Sequence, residues 1–191
     1  MTELIYRTLA FLVPILASIS YIRSIISGSV TPERATRLMY ILLLAVSLAQ
    51  QLSLRSGSGA IWLNLSELIV CILVGVVSIK NGKGGLGPVD IICYLLLSLS
   101  LIVWSISGQA LSGLMLICLA DFFATLPTIV AIWKKPRDEV FWFWLAGAAG
   151  ALFALLASGE ISVDQVFVIY LLIINTIVGG MVLIFQKFKK V

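Results

Sequence analysis

Residues 110–133 read ALSGLMLICLADFFATLPTIVAIW, an apolar run broken by a single carboxylate, Asp121, and a single proline, Pro127. A helix needs about 20 mostly apolar residues to cross a hydrocarbon core about 30 Å thick, and this run is long enough. Its apolar residues are continuous rather than alternating, which argues against a membrane strand. Lys134-Lys135-Pro136-Arg137 ends it on one side. On the other side the break at Gly108-Gln109 is placed by length, since 89–133 is too long for one spanning helix and too short for three.

Working outward, comparable runs occupy 4–26, 37–54, 60–80, 89–107, 140–158 and 164–186, so seven transmembrane helices are predicted. Ser27-Gly28-Ser29 with Pro32, Arg55 to Gly59, the turn Lys80 to Gly87, and Ser158-Gly159-Glu160 separate them. Composition agrees: 61% of the 191 residues are hydrophobic and 12% are charged, with a mean hydropathy of +1.13. Soluble domains carry about 25% charged residues. With no long polar stretch, residues 1–191 are read as a single all-α membrane domain. The first run is too long for a signal-peptide core and lacks a clean cleavage site, so it is expected to be a helix of the mature protein.

Lys and Arg fall unevenly. With seven helices, the connections after the first, third and fifth share a side with the C-terminus. That side holds Arg23, Arg34, Arg37, Lys80, Lys83, Lys134, Lys135, Arg137, Lys187, Lys189 and Lys190, leaving Arg7 and Arg55 opposite. The positive-inside rule then puts the C-terminus in the cytoplasm and the N-terminus outside, and the plasma membrane is the expected location. Trp133, Trp142 and Trp144 fit an interfacial belt on the cytoplasmic side. The basic residues act as topology signals, which argues against a nucleic-acid partner.

Enzyme classes fall away on residue types. There is no histidine for a rhomboid-type or metal-dependent intramembrane protease, and neither Asp90 nor Asp121 stands in a Gly-x-Gly-Asp segment. Cys71, Cys93 and Cys118 lie inside apolar runs without metal-ligand spacing, and the Gly-rich turn lacks phosphate-cradle spacing. No catalytic residue, metal or cofactor is expected.

The two halves of the chain resemble each other. Tyr21-Ile22-Arg23 closes the first run before Thr31-Pro32-Glu33-Arg34, and Ala131-Ile132-Trp133 closes the fifth before Lys134-Lys135-Pro136-Arg137. Pro32 and Pro136 lie 104 positions apart, each placed at the first turn of the next helix, where a missing N–H costs nothing. The plan is repeat one (about 3–83), a linker helix (about 88–107) and repeat two (about 110–187). The linker restores the direction of travel, so the three-helix repeats are parallel.

With that plan in hand, Phe11-Leu12-Val13-Pro14 followed by Tyr21-Ile22-Arg23, and Asp121-Phe122-Phe123-Ala124-Thr125-Leu126-Pro127-Thr128, resemble the proline-bearing first helix of repeats in the SWEET / PQ-loop (MtN3-like) superfamily. The resemblance implies a three-one-three helix plan with an outside N-terminus. Members of that fold are similar to vitamin-precursor transporters, amino-acid exporters and a cargo receptor, so fold alone does not choose a function. There is no Pro-Gln dipeptide. Asn175 matches the cargo-contacting Asn of the sugar branch, but Ile69-Val70 supplies no counterpart, so the resemblance does not name a sugar.

Within the runs, polar residues mark the candidate site. A charge near the bilayer centre costs several kcal/mol and normally faces a bundle interior or a wet cavity. Asp121, halfway along the fifth run, and Glu67, in the outer third of the third, are read as cargo or proton sites. Asn64 shares a helix face with Glu67 three residues on, and Gln50 or Gln51 ends the second run on the same side. Asn175, near the centre of the seventh run, completes the set of candidate substrate-binding residues, Asp121, Glu67, Asn64, Asn175 and Gln50. Pro14 and Pro127 are candidate hinges, and Tyr21 a gate on the cytoplasmic side. Asp90 reads as a helix N-terminal acid favoured by the dipole.

The expected function is a secondary transporter or facilitator for a small polar or cationic solute, working by alternating access, with Asp121 or Glu67 available for proton coupling. No basic residue is expected in mid-membrane. Membrane lipid is the surrounding partner, and homo-oligomers are compatible with the sequence although one chain holds both repeats. The alternative is a non-transporting membrane receptor, or a sorting or assembly subunit, on the same scaffold.

Overall fold

Backbone N–H and C=O groups in lipid must find partners within the protein, and an apolar run does this most simply as a helix. The computed structural model describes residues 1–54, 59–134, 139–159 and 162–188. The helices are α1 (Thr2–Ile26), α2 (Arg34–Ser53), α3 (Gly59–Asn81), α4 (Pro88–Ser107), α5 (Ala110–Lys134), α6 (Phe141–Leu156) and α7 (Val166–Phe188). A 3-10 turn, Val163–Gln165, leads into α7. Among the described residues there is no strand, only an isolated bridge between Glu33 and Lys83. Six of the helices are long and apolar enough to cross a membrane, the last counted together with its 3-10 turn. The chain is an all-helical, multi-pass membrane protein.

The exception is α6. The run 140–158 predicts a full span, but the helix covers 16 residues, about 24 Å at 1.5 Å per residue. It ends because Gly159 turns the chain at φ 72°, and the Ser158 hydroxyl is used instead to accept the Gly59 N–H at 3.0 Å. The faint break between the fourth and fifth runs is a left-handed residue, Gly108 at φ 66°, which closes α4.

Pro32 does not occupy the first turn of α2 as the sequence suggests. Its carbonyl instead accepts the Lys83 N–H at 3.0 Å, the Lys83 carbonyl accepts the Arg34 N–H, and α2 starts only at Arg34. Pro136 lies outside the described residues, as do Arg55, Lys135, Arg137, Glu160, Lys189 and Lys190. Pro14 and Pro127 are inside α1 and α5. Asp90 sits in the first turn of α4, where its carboxylate accepts the Gly87 N–H (2.9 Å) and the Thr36 hydroxyl (3.0 Å).

Packing follows small residues, as expected where lipid removes the hydrophobic drive between helices. α3 packs on both α1 and α2, and α7 on both α5 and α6; α1 meets α6, α2 meets α5, and α4 lies on α5 and α2. α1 buries one stripe, Ala10, Pro14, Ser18, Tyr21 and Ile25. Against it runs the small face of α6, Gly147, Gly150, Ala151 and Ala154. A methyl group at Gly150 would lie 2.8 Å from Pro14 Cγ, so only glycine lets these two helices approach so closely. α4 buries little and presents Ile91, Leu95, Leu99 and Ile102 outward, as a lipid-facing helix does.

Candidate functional site

Two polar layers and a cavity between them organise the bundle. The far end, where α1 begins, carries Arg7. The opposite, basic end carries Arg23, Arg34, Lys80, Lys83, Lys134 and Lys187.

Near the far end, Gln50 and Gln51 are fully buried on α2. The Gln50 amide donates to Ser100 Oγ of α4 at 2.9 Å, and Ser100 donates to the Gly113 carbonyl of α5 at 3.0 Å. Gln51 donates to the Asp164 carbonyl in the turn before α7, at 3.2 Å. The Asn64 amide of α3 bonds Ser47 Oγ (2.8 Å) and the Gln51 side chain (3.0 Å). These bonds sew α2 and α3 to α4, α5 and the start of α7. Asn64 and Gln50 therefore sit in a sealed network, away from the acids they were grouped with.

In mid-bundle lies a cavity of about 530 Å³, counting its open mouth. α3 supplies Glu67 and Cys71, α5 supplies Asp121 and Thr125, and α7 supplies Leu171, Ile174 and Asn175. Arg37, Tyr40 and Leu44 come from α2, and Phe143 and Trp144 from α6. Glu67, Asp121 and Asn175, all singled out from sequence, are brought together here. Asp121 is 6% exposed and accepts the Tyr170 hydroxyl at 2.7 Å. Thr125 donates to the Asp121 carbonyl (2.8 Å) and shares a hydrogen bond with Tyr40 Oη (3.1 Å). Glu67 is half-buried, and among the described residues no side chain donates a hydrogen bond to its carboxylate. Asn175 donates to the Leu171 carbonyl at 2.8 Å and packs where Gly147 leaves room on α6.

A second cavity, about 510 Å³ counting its open mouth, lies at the basic end. It is lined by Pro32, Glu33, Thr36, Lys83, Pro127 and Glu139, among others, and Arg37 lines both cavities. Arg37 is 9% exposed; its Nη2 donates to Tyr21 Oη at 2.6 Å, and the guanidinium lies over the rings of Tyr21 (5.4 Å) and Tyr40 (5.9 Å). Tyr21, wholly buried, stacks on Phe143 of α6 with ring centroids 4.4 Å apart. The partition between the cavities thus joins α1, α2 and α6. Pro127 lines the basic-end cavity, while Pro14 is packed against α6.

Two sequence readings need correction. Arg37 is not a loop cation: α2 begins a turn earlier than the apolar run, and Arg37, Tyr40 and Leu44 share one inward face at spacings of three and four. A basic side chain therefore does stand in the cavity with the acids. Trp144 is not a belt residue either. It is 8% exposed, lines the cavity and donates from Nε1 to Glu139 at 3.3 Å, whereas Trp133 and Trp142 are exposed as expected.

Sequence reasoning missed Tyr40, Thr125 and Tyr170. A hydroxyl recurring on the buried face of an apolar run is the signal that could have found them. Models of known protein families, curated proteins and solved structures give no match to this chain.

Proposed function

We propose that this protein is a secondary transporter or facilitator moving a small polar or cationic solute by alternating access between two three-helix bundles. The observation that carries the reading is the mid-bundle cavity, where Glu67, Asp121 and Asn175 come from three different helices and two barriers flank the space. Lone carboxyls in mid-membrane belong to wet, functional cavities more often than to lipid-facing surfaces. Their position also argues against an assembly subunit, whose acids would face a partner helix.

The parallel-repeat plan is supported by several independent features. α1 and α5 are both 25 residues long, and α3 and α7 both 23. Their starts lie 108 and 107 positions apart (2 to 110, 59 to 166). In each triplet the third helix packs on the other two, and the cross-contacts α1 to α6 and α2 to α5 are those a twofold along the membrane normal exchanges. At the 107 offset, Arg37 answers to Trp144 and Glu67 to Ile174, and all four line the cavity. This is the helix plan of the SWEET / PQ-loop resemblance. The positive-inside rule assigns the basic end to the cytoplasm and the far end to the outside of the plasma membrane.

In this state the Gln50, Gln51 and Asn64 network closes the outside, and Tyr21, Arg37 and Phe143 form the inner partition. Transport would alternate the opening of these two layers, with Pro14 and Pro127 as bending points.

The experiment is a broad solute screen by thermal shift on purified wild type, Asp121→Asn and Glu67→Gln, followed by counterflow in vesicles. A ligand at 100 times its dissociation constant stabilises the folded state by about 2.7 kcal/mol. Stabilisation of wild type that is lost in either variant, with matching counterflow, is the expected result. Stabilisation without counterflow would support a receptor, and no response to any solute together with a more stable Asp121→Asn would sink the reading.

A further inference from the structure

The cavity has two poles of opposite sign, Arg37 and Glu67, that make no ion pair with each other, and this observation, which rests on the transport reading, narrows the solute. Arg37 is nine-tenths buried, yet Tyr21 Oη is its one hydrogen-bond acceptor among the described residues. A guanidinium carries five N–H donors. The donors left over lie where Arg37 lines the two cavities. Among the described residues no carboxylate lies within ion-pair distance of Arg37, the ion pairs being Arg7 with Glu3 and Lys83 with Glu33; Glu139 lines the basic-end cavity with Arg37 and acts on its charge from that side only. The opposite pole is Glu67, whose carboxylate receives no side-chain donor among the described residues. Asp121, by contrast, is engaged by Tyr170.

A buried charge without a partner is costly, and truncating one partner of a buried pair is strongly destabilising for the same reason. Both poles face the same open volume, between Tyr40, Phe143 and Trp144. We propose that Arg37 and Glu67 are the two poles of one binding site and that its ligand is a small zwitterion, with its carboxylate on the Arg37 guanidinium and its ammonium on the Glu67 carboxylate. The guanidinium fork suits a carboxylate in bidentate fashion. A bare amine is disfavoured by the like charge of Arg37, and a bare carboxylate by Glu67 and Asp121, so one site rejects both single-charge analogues.

The test is isothermal titration of the full-length chain in detergent with glycine, 4-aminobutanoate and 6-aminohexanoate, alongside n-butylamine and butanoate. At least one zwitterion should bind 10-fold or more tightly than both single-charge compounds. Arg37→Gln should erase that preference, a relative loss of about 10- to 100-fold for the zwitterion, which is what a charge-assisted hydrogen bond is worth. The preference is a ratio within one protein, so a general loss of folded material cancels. Tyr21→Phe removes the hydrogen bond to Arg37 but keeps the guanidinium, and should retain the preference. If butylamine binds wild type as tightly as the best zwitterion, the two-pole site is overturned while a cation transporter stands. Equal loss of preference in Tyr21→Phe and Arg37→Gln would make Arg37 a partition element only and also overturns it. Binding of none of the five compounds overturns the two-pole site, whereas the transport reading falls only with the broad screen.

Discussion

Gly59→Ala tests the seam on which the proposed alternating access depends. Gly59 opens α3 at the far end, against the last turn of α6, so it joins the two proposed bundles. A methyl group there would stand 2.2 Å from the Ala154 carbonyl oxygen and 2.9 Å from its Cα and carbonyl carbon. All three are backbone atoms, so no side chain can swing aside, and the helices must separate by about 1 Å or more to restore ordinary contact near 3.5 Å. Overpacking of this kind costs about 1–3 kcal/mol. Gly180→Ala is the matched control, because a methyl group there meets nothing within 4 Å. In a helix interior it should gain up to about 1 kcal/mol. Thermal and denaturant unfolding in detergent should therefore place the two variants about 1–4 kcal/mol apart. The separation should also loosen the far-end barrier, raising the rate at which an impermeant thiol reagent added from the Arg7 side reaches Cys71. Equal stability of the two variants, with unchanged Cys71 labelling, would refute the close-packed seam.

Three further outcomes are expected. Tyr170→Phe leaves the Asp121 carboxylate without its donor and should destabilise by about 1–3 kcal/mol; in a double-mutant cycle with Asp121→Asn the coupling should exceed 0.5 kcal/mol, and simple additivity would remove the pairing. Gln50 Oε1 is buried without a hydrogen-bond partner, so Gln50→Met should cost less than Gln51→Met, which removes the bonds to both Asn64 and the Asp164 carbonyl; urea unfolding of both decides the order. With Cys93 and Cys118 changed to serine, Phe143→Ala should speed labelling of Cys71 from the basic end several-fold by removing the stack on Tyr21, and an unchanged rate would place the inner barrier elsewhere.

The helices were legible because each buried or lipid-facing run is continuous, and Gly108 or Ser158-Gly159 punctuates it where the backbone must turn. The mid-helix acids were legible for a related reason: a carboxylate in an apolar run has few cheap places to go, and Asp121 and Glu67 do share a cavity. What the sequence could not show was which neighbours they would meet. Asn64 lies one turn from Glu67 on the same helix, yet Ser47 and Gln51 of α2 reach it first, so it joins the far-end network. Spacing along one helix fixes a face, but the depth at which that face meets its neighbours depends on how α2, α3 and α5 are staggered.

Arg37 shows where charge counting loses its grip. Its place three residues after Arg34, at the very edge of the run 37–54, made it one more cation of the basic side, and the count supplied no reason to look further. A helix, however, begins where its backbone bonds begin, and the exchange between Pro32, Lys83 and Arg34 fixes that point ahead of the apolar run. Once α2 starts at Arg34, residue 37 is a full turn inside, and the spacing 37, 40, 44 carries it onto the cavity face with Tyr40 and Leu44. The same residue that supports the positive-inside count then supplies the cavity's cation. A long, amphipathic side chain can meet both demands, since its aliphatic stem spans the depth between the interface and the site.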